Sequence, residues 1–161
     1  MKSKAIMPSD FPVRAAGPEL VVTSNNSLDY GSLEDAFPNV PAGLKPFGDK
    51  VVVQLRTAMT RTKSGFYLPE ESRESERWNT QVAKVISLGP VAFKNRDTLE
   101  PWPEGAWVKP GMHIRCPKYG GDRWEVPVPG SADSALFVVF RDIELVGEID
   151  GDPLQMVAYI Q

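Results

Sequence analysis

The apolar residues between positions 51 and 146 come in short runs that turn residues interrupt at close intervals. The run VVVQLR at 51–56 places Val51, Val53 and Leu55 on one face, because side chains alternate along an extended backbone. Further runs of this kind occupy 81–88, 113–116, 123–128, 136–140 and 143–146. No segment before the C-terminal tail has a convincing helical period. The pattern predicts an all-β fold of short antiparallel strands, and a small β-barrel is preferred because closure removes exposed edges.

One turn and the two outermost strands determine how the strands are expected to pair. The segment KYGGD at 118–122 is typical of a tight hairpin. The first and last strands, VVVQL and IELVG at 143–147, are predicted to be edges that pair with neighbouring protomers. The apolar tail PLQMVAYIQ could extend that contact. The alternative is that both strands are ordinary core strands, which would make no contact with a neighbouring protomer. A homo-oligomer is therefore expected.

The two ends of the chain differ from the middle in amino-acid composition and pattern. Residues 1–43 are rich in proline and glycine, with only short apolar runs, so they cannot build a core alone. One helical turn is expected at SLEDAF, with Ser32 as cap and Asp35 reaching back to it. We expect an extension at 1–43, one β domain at 44–149 and a tail at 150–161.

Composition excludes several classes of protein. The formal net charge is -3, from 18 basic and 21 acidic residues, so no global positive field is available to hold nucleic acid. Cys116 is the only cysteine, which rules out an intrachain disulfide and argues against a thiolate zinc cage. No apolar run approaches the roughly 18 residues of a membrane span. We expect a protein of the reducing cytoplasm that binds neither nucleic acid nor membrane.

The residues offer no constellation for catalysis. His113 is the only histidine and is predicted to lie on a strand face, and no motif places a nucleophile beside a base. Phosphate-binding glycine motifs are absent, so no enzyme activity and no cofactor are expected. EIDGDP at 148–153 is spaced like the start of a calcium loop. However, Pro153 and Tyr159 replace its glycine and glutamate, which favours an acidic turn and no metal.

Two connections, 57–79 and 89–107, are too long for simple hairpins. The first contains the apolar triplet Phe66-Tyr67-Leu68 within a charged stretch. As a helix it would have no apolar stripe to bury, and as a strand Gly65 and Pro69 would limit it to three residues. We expect it to be mobile and to capture a partner, or alternatively to fold back onto the barrel. The second connection is expected to form a small projecting hairpin.

Five segments together resemble the GroES-type co-chaperonins of the 10-kDa chaperonin family. They occur in the family's order and spacing and read KPFGDKVVVQ (45–54), TKSGFYLPEES (62–72), AKVISLGP (83–90), VKPGMHIRCPKYGG (108–121) and RDIELVGEI (141–149). The resemblance implies a β-barrel protomer that assembles into a sevenfold dome, caps a GroEL-type chaperonin ring and encloses unfolded client proteins. ATP would be bound by the partner ring, not by this chain.

The resemblance also assigns roles to particular positions. The loop at 57–79 corresponds to the family's mobile loop, and its chaperonin-binding tripeptide falls on Phe66, Tyr67 and Leu68, preceded by the flexible Gly65. The family's dome-interior tyrosine falls on Tyr119, and its roof hairpin on 89–107.

The chain departs from the family in three ways. The tripeptide carries two aromatic residues where aliphatic ones are usual, the roof region is expanded, and the 1–43 extension and the tail have no counterpart. These additions suggest an enlarged, specialised member of the family. A large virus with bulky clients is a candidate source, and such a protein would act in the host cytoplasm.

Two other functions remain open from the residues alone. A β-barrel module for single-stranded nucleic acid could use the tryptophans, at positions 78, 102, 107 and 124, together with FKNR at 93–96. The acidic balance counts against it. A viral assembly protein could use the same barrel as an oligomeric connector, without any response to a chaperonin.

Overall fold

The computed structural model of the chain describes Tyr30, residues 32–58 and residues 70–158. In this part six antiparallel strands form one sheet, so the all-β prediction is confirmed. The strands are β1 (Lys50–Leu55), β2 (Val82–Leu88), β3 (His113–Arg115), β4 (Asp122–Pro127), β5 (Ser134–Arg141) and β6 (Gly147–Glu148). Their spatial order is β4-β5-β1-β2-β3-β6. Two α-helices accompany them, α1 (Leu33–Ala36) and α2 (Glu70–Asn79). Neither described helix is long and apolar enough to cross a membrane.

Strand β1 lies in the middle of the sheet, between β2 and β5, and both of its faces are buried. Val51, Val53 and Leu55 face the main core, as predicted, together with side chains of β2, β3, β5 and the 89–108 connection. The register between β1 and β2 shifts between Val52 and Val53, where β2 carries one extra residue. Such a bulge bends the strand and increases its twist.

The second face of the sheet is covered by the segment that precedes β1. Ala42 packs there with Val52, Ala135 and Phe137. The Trp124 ring stacks on Phe137 with centroids 5.7 Å apart, and its Nε1 donates a hydrogen bond to the Ala42 carbonyl oxygen at 2.8 Å. The end of the predicted extension is thus packed against the β domain.

A third apolar cluster joins the two ends of the described chain. It contains Tyr30, Ala36, Phe37, Val82 and Ile149, with Leu154 and Met156 packed against it. The predicted helical turn is present as α1, and the Ser32 hydroxyl accepts a hydrogen bond from the Asp35 N–H at 3.3 Å. Residues on both sides of the β domain therefore share one buried cluster.

Three sequence expectations about the strands are wrong. The segment 118–122 does not form a hairpin, because β3 lies beside β2 and β6 whereas β4 pairs with β5. Strand β1 is central, so it offers no edge to a neighbour, and the two edges are β4 and β6. A strand was expected at 143–146, but residues 142–144 form a 3-10 helix. The Glu144 carboxylate closes that turn by accepting a hydrogen bond from the Arg141 N–H at 3.0 Å.

Candidate functional site

The predicted chaperonin-binding residues Gly65, Phe66, Tyr67 and Leu68 lie outside the described residues. The structure describes the two ends of the segment that carries them. One end is the stretch that follows β1, from Arg56 to Ala58, and the other is helix α2 with the residues that connect it to β2.

Helix α2 corrects the expectation that residues 57–79 contain no helix. Its sequence EESRESERWN has no apolar stripe, but polar contacts hold it in place. Glu76 is buried with 8% of its surface exposed, and the Arg77 Nη2 lies 2.7 Å from Glu125 Oε1 on β4. Within the helix, Trp78 Nε1 donates to Glu74 Oε2 at 3.3 Å. A search for apolar periodicity misses such a helix, because its anchors are charged.

Four residues meet where the segment leaves and rejoins the β domain: Tyr30, Arg56, Thr57 and Glu76, hereafter the root cluster. The Tyr30 hydroxyl oxygen lies 2.6 Å from the Thr57 carbonyl oxygen and 3.2 Å from Glu76 Oε1. Arg56 is 3% exposed, and its guanidinium carbon lies 5.2 Å from the centre of the Tyr30 ring. The Arg56 Nη2 is 3.8 Å from Glu76 Oε1. The root cluster thus joins the N-terminal extension, the end of β1 and α2.

Burial sets the electrostatics of the root cluster. It raises the pKa of Glu76, although the Arg56 charge and the hydrogen bond with Tyr30 act in the opposite direction. Burial also raises the pKa of Tyr30, so the phenol stays neutral at physiological pH and its hydroxyl remains a donor. An ionised Glu76 is costly in this setting unless Arg56 accompanies it.

The 89–107 connection, predicted to be a projecting hairpin, contains a single isolated bridge between Lys94 and Pro101. Phe93 is buried, and its ring meets those of Trp102 and Trp107 at centroid distances of 5.4 and 5.7 Å. The Phe93 N–H donates to the buried Asp142 carboxylate at 2.8 Å. These contacts hold the base of the connection against the core, whereas Leu99 is 59% exposed.

Tyr119, the predicted dome-interior residue, lies in the turn between β3 and β4 and is 72% exposed. The Lys118 Nζ sits 5.5 Å from the centre of its ring. This turn places an aromatic side chain and a cation together at the surface of the protomer.

Two further sequence candidates, the lone cysteine and the 148–153 turn, lie in the described part of the chain. Cys116 is buried, and burial raises the pKa of its thiol to about 12, so the thiolate nucleophile is scarce at neutral pH. Within the described residues, no group of three histidine, cysteine, aspartate or glutamate side chains could hold a metal ion. In the 148–153 turn, the Asp152 carboxylate accepts a hydrogen bond from the Leu154 N–H at 2.9 Å.

His113 lies on β3 as predicted, with its half-buried ring 5.1 Å from that of Phe37. Burial and the nearby Lys84 charge lower its pKa from 6.5, against the opposing effect of Asp152. The neutral ring therefore stabilises the fold fully above pH 6.5, and this contribution is lost as the pH falls towards the folded-state pKa. We expect the single histidine resonance in a proton NMR titration to have its midpoint below 6.5.

A His113→Gln variant supplies the control for this titration. Its Tm should fall less than that of the unmodified protein as the pH drops below 6.5. A midpoint at or above 6.5 would show that burial and the Lys84 charge do not outweigh the Asp152 charge at this ring.

Comparisons with known proteins converge on one family. The family model described as "Chaperonin 10 Kd subunit" matches residues 43–148. The chain is 32% identical over 107 residues to the mitochondrial 10 kDa heat shock protein of Saccharomyces cerevisiae, covering 66% of this chain and 89% of the yeast protein. It is 33% identical over 101 residues to the co-chaperonin GroES of Syntrophomonas wolfei, covering 62% and 93% of the two chains. It is 32% identical over 105 residues to that of Corynebacterium jeikeium, covering 65% and 94%. With most of each relative's length matched by the β domain described above, this chain belongs to the chaperonin 10 kDa subunit family of GroES-type proteins.

Proposed function

We propose that the protein is a co-chaperonin that forms a ring-shaped lid on a GroEL-type chaperonin and assists ATP-dependent protein folding. The observation that carries the proposal is the family match over residues 43–148, which spans the whole described sheet and both ends of the segment with the apolar triplet. In this proposal Phe66, Tyr67 and Leu68 dock in a groove of the chaperonin, and Gly65 supplies the flexible position before them.

The energetics of this contact favour an oligomeric lid. Burying three large apolar side chains contributes roughly 5 to 9 kcal/mol at about 1.5 to 3 kcal/mol each. Ordering the backbone costs about 1 to 2 kcal/mol for each residue that becomes fixed. One protomer therefore binds weakly, and several protomers in a ring convert later contacts into intramolecular ones, which raises the affinity by about a hundredfold or more. We propose a heptamer, as in the family that the sequence resembles.

The remaining roles follow from the lid. The chain needs no cofactor and catalyses no reaction, because the partner ring binds ATP. Tyr119 faces the interior of the dome, where unfolded clients are enclosed. The protein acts in the cytoplasm that contains its chaperonin, which is the host cytoplasm for a virus-encoded lid.

Complex formation with purified GroEL-type rings tests the proposal directly. We expect the protein to sediment with the rings when ATP is present and to separate from them when it is absent. Electron microscopy of the complex should show a sevenfold cap on the end of the ring. If the protein is oligomeric but binds no ring, including the ring from its own source, it is an assembly connector and the proposal is wrong.

A further inference from the structure

Both ends of the proposed chaperonin-binding segment are held by residues outside the family match. The family model covers 43–148, whereas Tyr30, residues 32–37 and residues 150–158 lie beyond it. These two additions contact Arg56 and Thr57 before the segment. After it they contact Glu76, Thr80 and Gln81.

The N-terminal addition binds the end that follows β1. The Thr57 N–H donates to the Ala36 carbonyl oxygen at 2.9 Å, and the Thr57 hydroxyl donates to the Asp35 carbonyl oxygen at 2.9 Å. The Tyr30 hydroxyl lies 2.6 Å from the Thr57 carbonyl oxygen. The donors and the acceptor of Thr57 are thus all occupied by residues that precede position 37.

The C-terminal addition binds both ends of the segment. The Arg56 Nη1 donates to the carbonyl oxygens of Pro153 and Met156, each at 2.8 Å. After α2, the Gln81 N–H donates to the Ala158 carbonyl oxygen at 2.6 Å. The Arg56 guanidinium is buried, so in the folded chain these acceptors come from the tail and not from bulk solvent.

We propose that Tyr30, residues 32–37 and residues 150–158 form a collar that positions the chaperonin-binding segment, an inference that rests on the function proposed above. The collar fixes the two points from which the segment extends. It acts through the positions of Thr57 and α2 and is not itself the docking surface.

The expected benefit of the collar is a smaller loss of conformational freedom on binding. Residues at the ends of the segment that are already ordered do not have to be ordered when the chaperonin binds. None of the described side chains of α2 belongs to the three apolar clusters. A cleft of about 290 Å³ lies between the helix, the end of β1 and residues 132–134. Its position therefore depends on the root cluster and on the Arg77–Glu125 ion pair.

Two variants loosen the collar, and a third is a matched control. Tyr30→Phe keeps the ring over Arg56 but removes the hydroxyl contacts with Thr57 and Glu76. A chain ending at Gly151 removes the carbonyl acceptors of the tail. Trp124→Phe also removes one side-chain hydrogen bond to the 1–43 extension, at Ala42, but this residue lies outside the collar and the root cluster.

The experiment measures amide hydrogen exchange in the free protein and affinity for a purified GroEL-type ring with ATP. Exchange at Thr57 and in α2 should become at least tenfold faster in the two collar variants, with the amides of β1 and β5 unchanged. Their affinity for the ring should fall at least tenfold. Trp124→Phe should change neither quantity, although it lowers the Tm.

Each outcome decides a different point. If exchange at the root cluster does not change, the collar does not exist. If exchange becomes faster but the ring binds all variants equally, the additions only stabilise the fold. The proposal that they position the chaperonin-binding segment is then wrong. If the unmodified protein binds no ring, the proposed function and this inference fall together.

Discussion

Replacing Phe66 and Leu68 together by aspartate is expected to abolish binding to the chaperonin ring, with an affinity loss of at least a hundredfold. Each substitution removes about 1.5 to 3 kcal/mol of apolar burial and would place a charge in an apolar groove, which costs more. In a multivalent lid the defect is repeated in every protomer, so avidity cannot compensate for it. Sedimentation with ATP-loaded rings measures the effect.

A Leu99→Asp variant is the control for this double substitution. Leu99 is 59% exposed and lies in the 89–107 connection, so the same chemical change there should leave binding intact. The oligomeric state of all three proteins should be equal by sedimentation velocity. Wild-type affinity in the double variant would place the chaperonin contact elsewhere on the protomer.

Gly121→Ala is expected to be strongly destabilising, by about 2 to 5 kcal/mol from a left-handed backbone and overpacking combined. Its φ is 76°, and a Cβ there would lie 2.5 Å from Val138 Cγ1 and 2.8 Å from the Val139 carbonyl oxygen on β5. The neighbouring strand therefore leaves no space for a methyl group. Chemical denaturation measures the change in the free energy of unfolding.

Gly120→Ala separates the two causes of this loss. Gly120 also has a positive φ, of 90°, but a Cβ at this position would meet nothing within 4 Å. We expect a cost of about 1 to 2 kcal/mol from the backbone alone. Equal losses in the two variants would show that the close approach of Gly121 to β5 has no energetic weight.

The sequence predicts most strands because their burial is local and periodic. Val51, Val53 and Leu55 alternate, and β1 to β5 form at the predicted positions. The pairing of strands is less accessible, because it depends on residues distant in the chain. The segment 118–122 has the composition of a hairpin turn, but the close packing of Gly121 on β5 leads the chain from β3 to the opposite edge of the sheet.

The candidate site also has one part that the sequence predicts and one part that it does not. The apolar triplet at 66–68 is visible in the sequence because it stands in a charged stretch and matches a family pattern. The root cluster is not visible, because its members are separated by long intervals and carry no motif. Tyr30 and Glu76 are 46 positions apart, and Arg56 is 97 positions from Pro153, the tail residue whose carbonyl oxygen accepts its hydrogen bond. The burial of Arg56 could not be predicted from the sequence, because it depends on partners that are distant in the chain.

The shared cluster of Tyr30, Phe37, Val82 and Ile149 determines whether the terminal additions can be separated from the β domain. A chain cut to the length of its relatives would uncover Val82 and leave the Arg56 guanidinium without its carbonyl acceptors. The additions at the two ends thus share buried contacts with the β domain. Transfer of either one to or from a shorter relative would require a matching change in the surface of that domain.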